Sequence, residues 1–396
     1  MSVPPRIAVV GASLAGARVL RALRRRGFDG RLVLIGEENE LPYDRPPLSK
    51  QYLTAPDPVP VKRLEPEGFY DGMELRLGVR ATALNLRERS VLLDDGSTVK
   101  ADHIVITTGA AARSLAGLPD SERVARLRTA ADARRIRGAL DEAHHLLVVG
   151  GGFIGCEVAA SARGRGLAVT VIEPAPAPVL RGVGATVGAM LAELHRDNGV
   201  DFRLGVTVAD VDERGGRPVV TLSDGSRIET DFVVVGVGAF ARTDWLDSSG
   251  LDLSDGVLCD NRCRVAGAGG HVWAAGDVAA WPSERFGATR RIEHWTNAAE
   301  QAGVLAANLL DGATAPTYDP IPYVWSDQYQ HKIQILGSVS GEDDTTLLDG
   351  SFEERRFVLA YARDGLLRGL VACDMPREIA ARRSLVATPT PMAGVV

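Results

Sequence analysis

Ile7-Ala8-Val9-Val10 runs straight into Gly11-Ala12-Ser13-Leu14-Ala15-Gly16, and Leu146-Leu147-Val148-Val149 runs straight into Gly150-Gly151-Gly152-Phe153-Ile154-Gly155. An apolar strand, a glycine turn and then a helical stretch (Ala17–Arg26; Cys156–Arg165) form the pattern of a nucleotide-binding βα unit. One such glycine pattern is weak evidence, because glycine turns are common. Two in the same context are strong, and the echo continues downstream. Arg76-Leu77-Gly78-Val79 recurs as Arg203-Leu204-Gly205-Val206, Asp95-Gly96-Ser97 as Asp224-Gly225-Ser226, and Asp102–Gly109 as Asp231–Gly238. The sequence therefore predicts an α/β chain with two tandem Rossmann-like modules.

Each glycine loop has a physical task. The turn needs a residue free in φ, and the helix that follows offers unpaired N–H groups and a favourable dipole to a pyrophosphate. Each module then continues to a second apolar strand (Leu32–Ile35; Val169–Ile172) ending near an acid, Glu37 or Glu173, placed to accept from ribose hydroxyls. Ser13 replaces the middle glycine of the first loop; it is small and can itself donate to phosphate. Two nucleotides in one chain suggest electron transfer between cofactors.

The 396 residues suffice for two or three domains, and 45% apolar content supports large cores. A formal charge of −6 argues against nucleic acid as a partner. No apolar run reaches the length of a membrane span or resembles a signal peptide, so a cytoplasmic chain without membrane association is expected. Of the four cysteines (Cys156, Cys259, Cys263, Cys373), Cys259 and Cys263 are spaced by four but lack neighbouring ligands for a metal site, and all four read as buried or incidental thiols. No metal is expected.

The repeat makes the domain map readable. The first copy has 65 positions from Gly11 to Arg76, against 53 from Gly150 to Arg203. The surplus falls around Leu41–Tyr52, a proline-rich insertion ill-suited to a strand. Residues 88–108 and 217–238 read as strand, Asp-Gly turn, strand and a further apolar strand. Ala130–Glu142 and Asn297–Leu310 read as helices and Val272–Ala275 as a strand. Beyond about residue 318, Lys332–Gly337, Phe357–Ala362 and Leu366–Cys373 read as strands, and Pro376–Leu385 as a basic helix. The expected division is 1–108 with 240–317, then 109–239, then a small α+β domain over 318–396.

Arg45-Pro46-Pro47-Leu48-Ser49-Lys50, Thr107-Thr108-Gly109, Leu127-Arg128-Thr129, Ala275-Gly276-Asp277, Glu293–Ala298 and Trp325–Tyr329 follow in order with the glycine loops. Together they resemble the NADH-dependent ferredoxin reductases of oxygenase systems, within the FAD-dependent pyridine nucleotide-disulfide oxidoreductases, over nearly the whole chain. The resemblance implies a glutathione-reductase-like fold, FAD in the first module, NADH in the second, and a C-terminal domain near the flavin and the ferredoxin. It assigns Gly11, Ser13, Ala15, Gly16, Glu37, Arg45, Lys50, Ala81, Gly109, Arg128, Asp277, Glu293 and Trp295 to FAD. It assigns Gly150, Gly152, Phe153, Ile154, Gly155, Glu173 and Gly238 to NAD. Lys50 and Glu157 are the implied catalytic ion pair beside flavin N5.

Two residue-level arguments narrow the chemistry. Glu173 suits a 2′-hydroxyl and repels a 2′-phosphate, which favours NADH over NADPH. No cysteine precedes Cys156, so no thiol stands in the first module to take electrons, and no cysteine cluster could hold an iron–sulfur centre. The resemblance implies a ferredoxin as acceptor, which must then be a separate protein, taking single electrons after NADH delivers hydride to the flavin. The competing expectation is a slow NADH-binding sensor or scaffold, similar to apoptosis-inducing factor. Docking is expected on Arg290, Arg291, Lys332, Arg377, Arg382 and Arg383, with Trp325 between the flavin and the partner's cluster. The sequence does not fix the oligomeric state.

Overall fold

A computed structural model describes residues 4–66, 68–115 and 121–395. The chain forms two compact units, 1–44 with 62–111 and 240–320, and 45–61 with 112–239 and 321–396.

In the first unit, strand Arg6–Val10 lies at the centre of a five-stranded parallel sheet. Its neighbours are Arg31–Gly36 on one side and His103–Ile106 on the other, with Glu74–Leu77 and Val272–Ala274 at the edges. Alternation along the strands divides the core in two. Ile7, Val9, Leu32 and Leu34 meet Val19, Leu20 and Leu23 of helix Leu14–Arg25 and Leu305 of helix Trp295–Asp311. Ala8, Val10, Val33 and Ile35 face the opposite way, onto the antiparallel strands Ala81–Asn85, Ser90–Leu93 and Thr98–Lys100. Both faces are buried, and that is why these strands read as continuous apolar runs.

The second unit repeats the plan. Strand His145–Val149 lies between Ala168–Glu173 and Phe232–Val235, with Val200–Leu204 and Val124–Arg126 outermost, all parallel. Leu147, Val149, Ile172, Val233 and Val235 pack on the antiparallel strands Val208–Arg214, Arg217–Leu222 and Arg227–Glu229. The repeat reaches individual hydrogen bonds. Ser97 N–H donates to Asp95 Oδ1 at 2.9 Å, and Ser226 N–H donates to Asp224 Oδ1 at 2.9 Å.

The same unit carries a five-stranded antiparallel sheet in the order Tyr323–Gln328, His331–Gly337, Leu366–Cys373, Arg356–Arg363, Asp344–Ser351. One face takes Val183, Val187, Leu191 and Leu194 of helix Leu180–Asp197. The other takes Ile379 and Val386 from two short helices, Pro376–Ala381 and Arg383–Ala387. The sequence predicts one helix here; Arg382, at φ −93° and ψ 5°, breaks it and lets both apolar residues reach the sheet. The proline-rich insertion forms a 3₁₀ turn over Pro46–Ser49 and a short helix over Gln51–Thr54. Proline fits the first turn, where no N–H is needed.

Candidate active site

The first glycine loop is built by close backbone approach. Gly11 has φ +120°, and a Cβ there would lie 2.2 Å from the Thr107 carbonyl oxygen. Thr107 Oγ1 donates into the same turn, 3.0 Å from the oxygens of Val10 and Gly11. Ser13 sits at the N-cap of helix Leu14–Arg25. No side-chain cap hydrogen bond and no acid occupies the first turn, which holds the buried Ala15 and Gly16. That helix end is suited to an anion. Gly276, at φ +80°, comes close enough that an added Cβ would stand 3.0 Å from the Ala15 methyl, and Gln301 Oε1 holds its N–H at 2.8 Å. Two chain turns thus leave a wall of glycine and small side chains beside this helix end. Such a wall fits a flat, extended dinucleotide.

Glu37 stays exposed at the end of its strand, where Arg242 Nη2 approaches to 3.1 Å. The Gly109 carbonyl accepts from the Arg242 N–H at 2.9 Å. Ala81 begins the strand facing the core. After Gly276, the Asp277 carbonyl accepts from Arg291 Nη1 at 3.0 Å, and the same guanidinium reaches Glu293 at 2.5 Å and Asp255 at 2.9 Å. His294 lies near Asp277; burial pulls its pKa down to about 4, and the Asp277 charge opposes that only in part. Trp295 opens its helix and donates from Nε1 to Asp44 Oδ1 at 2.8 Å.

The second loop repeats the first, with one addition. Gly150 has φ +105°, Gly152 is the helix N-cap, and a Cβ on Gly155 would stand 2.0 Å from the Gly150 carbonyl oxygen. Glu173 then clasps the loop, Oε2 accepting from Gly151 N–H at 2.7 Å and Oε1 from Ala175 N–H at 2.9 Å. Phe153 packs partly on the core, whereas Ile154 is 45% exposed. Gly238, at φ +101°, accepts from the Arg113 N–H at 2.9 Å through its carbonyl.

Lys50 and Glu157 meet. Nζ lies 2.8 Å from Oε2 of a carboxylate only 3% exposed. Ser49 Oγ donates to the same oxygen at 2.5 Å, and Ser326 Oγ donates to Oε1 at 2.6 Å. A buried carboxylate needs such compensation to stay charged. The turn also binds through Arg45, whose Nη1 donates to the Arg128 carbonyl oxygen. Asp44, Arg242 and Gln301 carry no signal of their own in the sequence, and Ser49 lies within the Arg45–Lys50 motif without its contact being visible there. Ser326 does lie within the Trp325–Tyr329 motif, so its neighbourhood was visible although its contact was not.

The basic residues expected at a docking surface differ in availability. Arg290, Arg377 and Arg383 are exposed. Arg291 is committed to Asp255, Glu293 and Asp277, Lys332 to Asp327 at 2.7 Å, and Arg382 to Asp349 at 2.8 Å. All four cysteines are free and buried. Burial pushes their thiols up, Cys373 to about 12, so none offers a reactive thiolate.

Residues 5–302 match the family model of the pyridine nucleotide-disulphide oxidoreductases, and residues 323–394 match the reductase C-terminal model. The chain belongs to this oxidoreductase family. Within the family it is 38% identical over 391 residues to the anthranilate 1,2-dioxygenase system ferredoxin–NAD(+) reductase component of Burkholderia cepacia, covering 98% of this chain and 95% of that one. It is also 38% identical to the chlorobenzene dioxygenase ferredoxin reductase component of Cupriavidus sp. (strain PS12), over 96% of this chain and 92% of that one. Its fold overlays that of putidaredoxin reductase in the covalent complex with putidaredoxin, with a TM-score of 0.93, 29% identity and coverage of 98% of this chain and 94% of that one. Among the described residues, no helix is long and apolar enough to cross a membrane.

Proposed function

We propose that this oxidoreductase is an FAD-dependent ferredoxin–NAD(+) reductase. It passes electrons from NADH, one at a time, to a separate iron–sulfur ferredoxin that serves a mono- or dioxygenase. The observation that carries this reading is the Lys50–Glu157 pair at 2.8 Å, in a segment where a disulfide reductase would need cysteine. Near full-length likeness to ferredoxin–NAD(+) reductase components supports it. Bound FAD would supply the redox chemistry, accepting an electron pair and releasing single electrons.

The residues fit that cofactor. Gly11, Ser13, Ala15 and Gly16 would take the pyrophosphate on the uncapped helix end, Glu37 a ribose, and the Ala81 backbone the adenine. Gly109, Arg128, Asp277, Glu293 and Trp295 would complete its site with Arg45 and Lys50. Gly150, Gly152, Phe153, Ile154, Gly155, Glu173 and Gly238 would hold NADH. Lys50 would balance negative charge on the reduced cofactor, with Glu157 setting its position. The functional domains follow the boundaries read from the sequence, and the protein works in the cytoplasm.

The test is cytochrome c reduction by NADH with and without purified iron–sulfur ferredoxins. Activity that depends on ferredoxin supports the reading. NADH binding with no transfer to any ferredoxin points to a sensor or scaffold instead.

A further inference from the structure

Glu157 is the end of a longer buried row. Ser326 Oγ donates to Glu157 Oε1 at 2.6 Å, and Gln328 Nε2 donates to Ser326 Oγ at 3.2 Å. Gln328 Oε1 lies 3.0 Å from His195 Nε2, and the Tyr329 hydroxyl lies 3.0 Å from His195 Nδ1. Ser326, Gln328 and His195 are 0% exposed. Apolar neighbours on the same helix and sheet, Leu191, Leu194 and Ile333, show that an oily filling was available at these positions. Polar groups in such a place are costly unless every bond is made, and here the row makes them.

The row has one direction. If the Gln328 amide were turned over, Ser326 would have to give its single proton to both Gln328 and Glu157. With the amide as it stands, His195 must carry its proton on Nε2 and accept from Tyr329 on Nδ1. Burial keeps this imidazole neutral, with a pKa lowered to about 4. Tyr329 adds an independent sign of design: its φ is +55°, a left-handed conformation that a bulky side chain adopts only when the surroundings enforce it. That turn holds the hydroxyl on the ring. Every N–H and O–H in the row points towards Glu157, and each bond polarises the next. An amide in the middle does not pass protons, so the row orients dipoles and conducts nothing.

We propose that Tyr329, His195, Gln328 and Ser326 form a polarised positioning chain that holds the Glu157 carboxylate turned onto Lys50. The proposal rests on the role assigned to the Lys50–Glu157 pair, so its test reads the chain separately from turnover. In the full-length, FAD-loaded protein with ¹⁵N-labelled histidine, NMR should show His195 as the neutral Nε2–H tautomer from about pH 6 to about pH 8. Gln328→Met should move that signal and slow flavin reduction about tenfold at saturating NADH, the worth of one buried hydrogen bond, with NADH affinity unchanged. Ser326→Ala should slow reduction similarly, and Ser326→Thr should recover most of the rate. An Nδ1–H tautomer in the native protein would overturn the polarity and the proposal with it. So would unchanged reduction in both Gln328→Met and Ser326→Ala while Lys50→Met is slow. Unchanged reduction in Lys50→Met would instead remove the role of the pair, and the tautomer would still decide the chain.

Discussion

Glu173 Oε2 accepts a hydrogen bond from the Gly151 backbone N–H at 2.7 Å. The acid that would read the adenosine ribose therefore also fixes the shape of the loop that would hold the pyrophosphate. Glu173→Ala should raise the Michaelis constant for NADH about tenfold and relax discrimination against NADPH, since a half-buried acceptor and a repelling charge go together. Glu173→Gln keeps one acceptor oxygen and should retain more of the NADH affinity. Steady-state kinetics with both nucleotides decide this. Unchanged constants in Glu173→Ala would remove Glu173 from the site.

Lys50→Met leaves the Glu157 carboxylate buried without its cation. Breaking such a pair costs about 3–5 kcal/mol, so a clear fall in melting temperature is expected. Glu157→Gln removes the charge together with the need for compensation, and should melt closer to the native protein. In stopped-flow measurements Lys50→Met should reduce its flavin about 100-fold more slowly at saturating NADH, the order found when a charge-stabilising donor is lost. Native rates in that variant would contradict the assigned role.

Arg290 and Arg291 are neighbours with different duties. Arg290 is exposed over the Phe286 ring, whereas Arg291 is tied to Asp255, Glu293 and the Asp277 carbonyl. Arg290→Glu should raise the Michaelis constant for ferredoxin several-fold, more so at low salt, and leave NADH-driven ferricyanide reduction unchanged. Arg291→Glu should damage both activities through the Asp277–Trp295 segment. Equal loss in both variants would mean that Arg290 is not a docking residue.

Acid should weaken the second unit through His195. Its folded pKa, about 4, lies below the ordinary value of 6.5. Between those values the unfolded chain binds the proton and the folded chain does not. Stability from this group is therefore full above about pH 6.5 and falls as the pH drops towards 4. The loss is on the order of 3 kcal/mol. Thermal melts from about pH 7 to about pH 5 should show it, and His195→Phe should flatten the slope. An unchanged slope in that variant would mean other groups carry the acid response.

The sequence carried the parallel sheets well because both their faces are buried, which leaves continuous apolar runs ending in glycine loops. Both Asp-Gly-Ser turns form the same local hydrogen bond, so a short peptide was enough to read them. Long-range partners left no such trace. His195 is separated from Gln328 by 133 residues and Ser326 from Glu157 by 169, and no local pattern announces either contact. Arg291 reads as one more surface cation until the Asp255 and Glu293 carboxylates are placed around it. The break at Arg382 depends on which apolar residues the sheet beneath can accept, and helix periodicity over ten residues says nothing of that sheet.

The central claim is transfer of electrons from NADH to a separate one-electron carrier. Anaerobic titration of the FAD-loaded protein and excess ferredoxin with NADH measures it directly. The account predicts two reduced ferredoxins for each NADH consumed, because a hydride carries an electron pair and the carrier takes one electron at a time. A flavin that bleaches with NADH while every ferredoxin stays oxidised would contradict it.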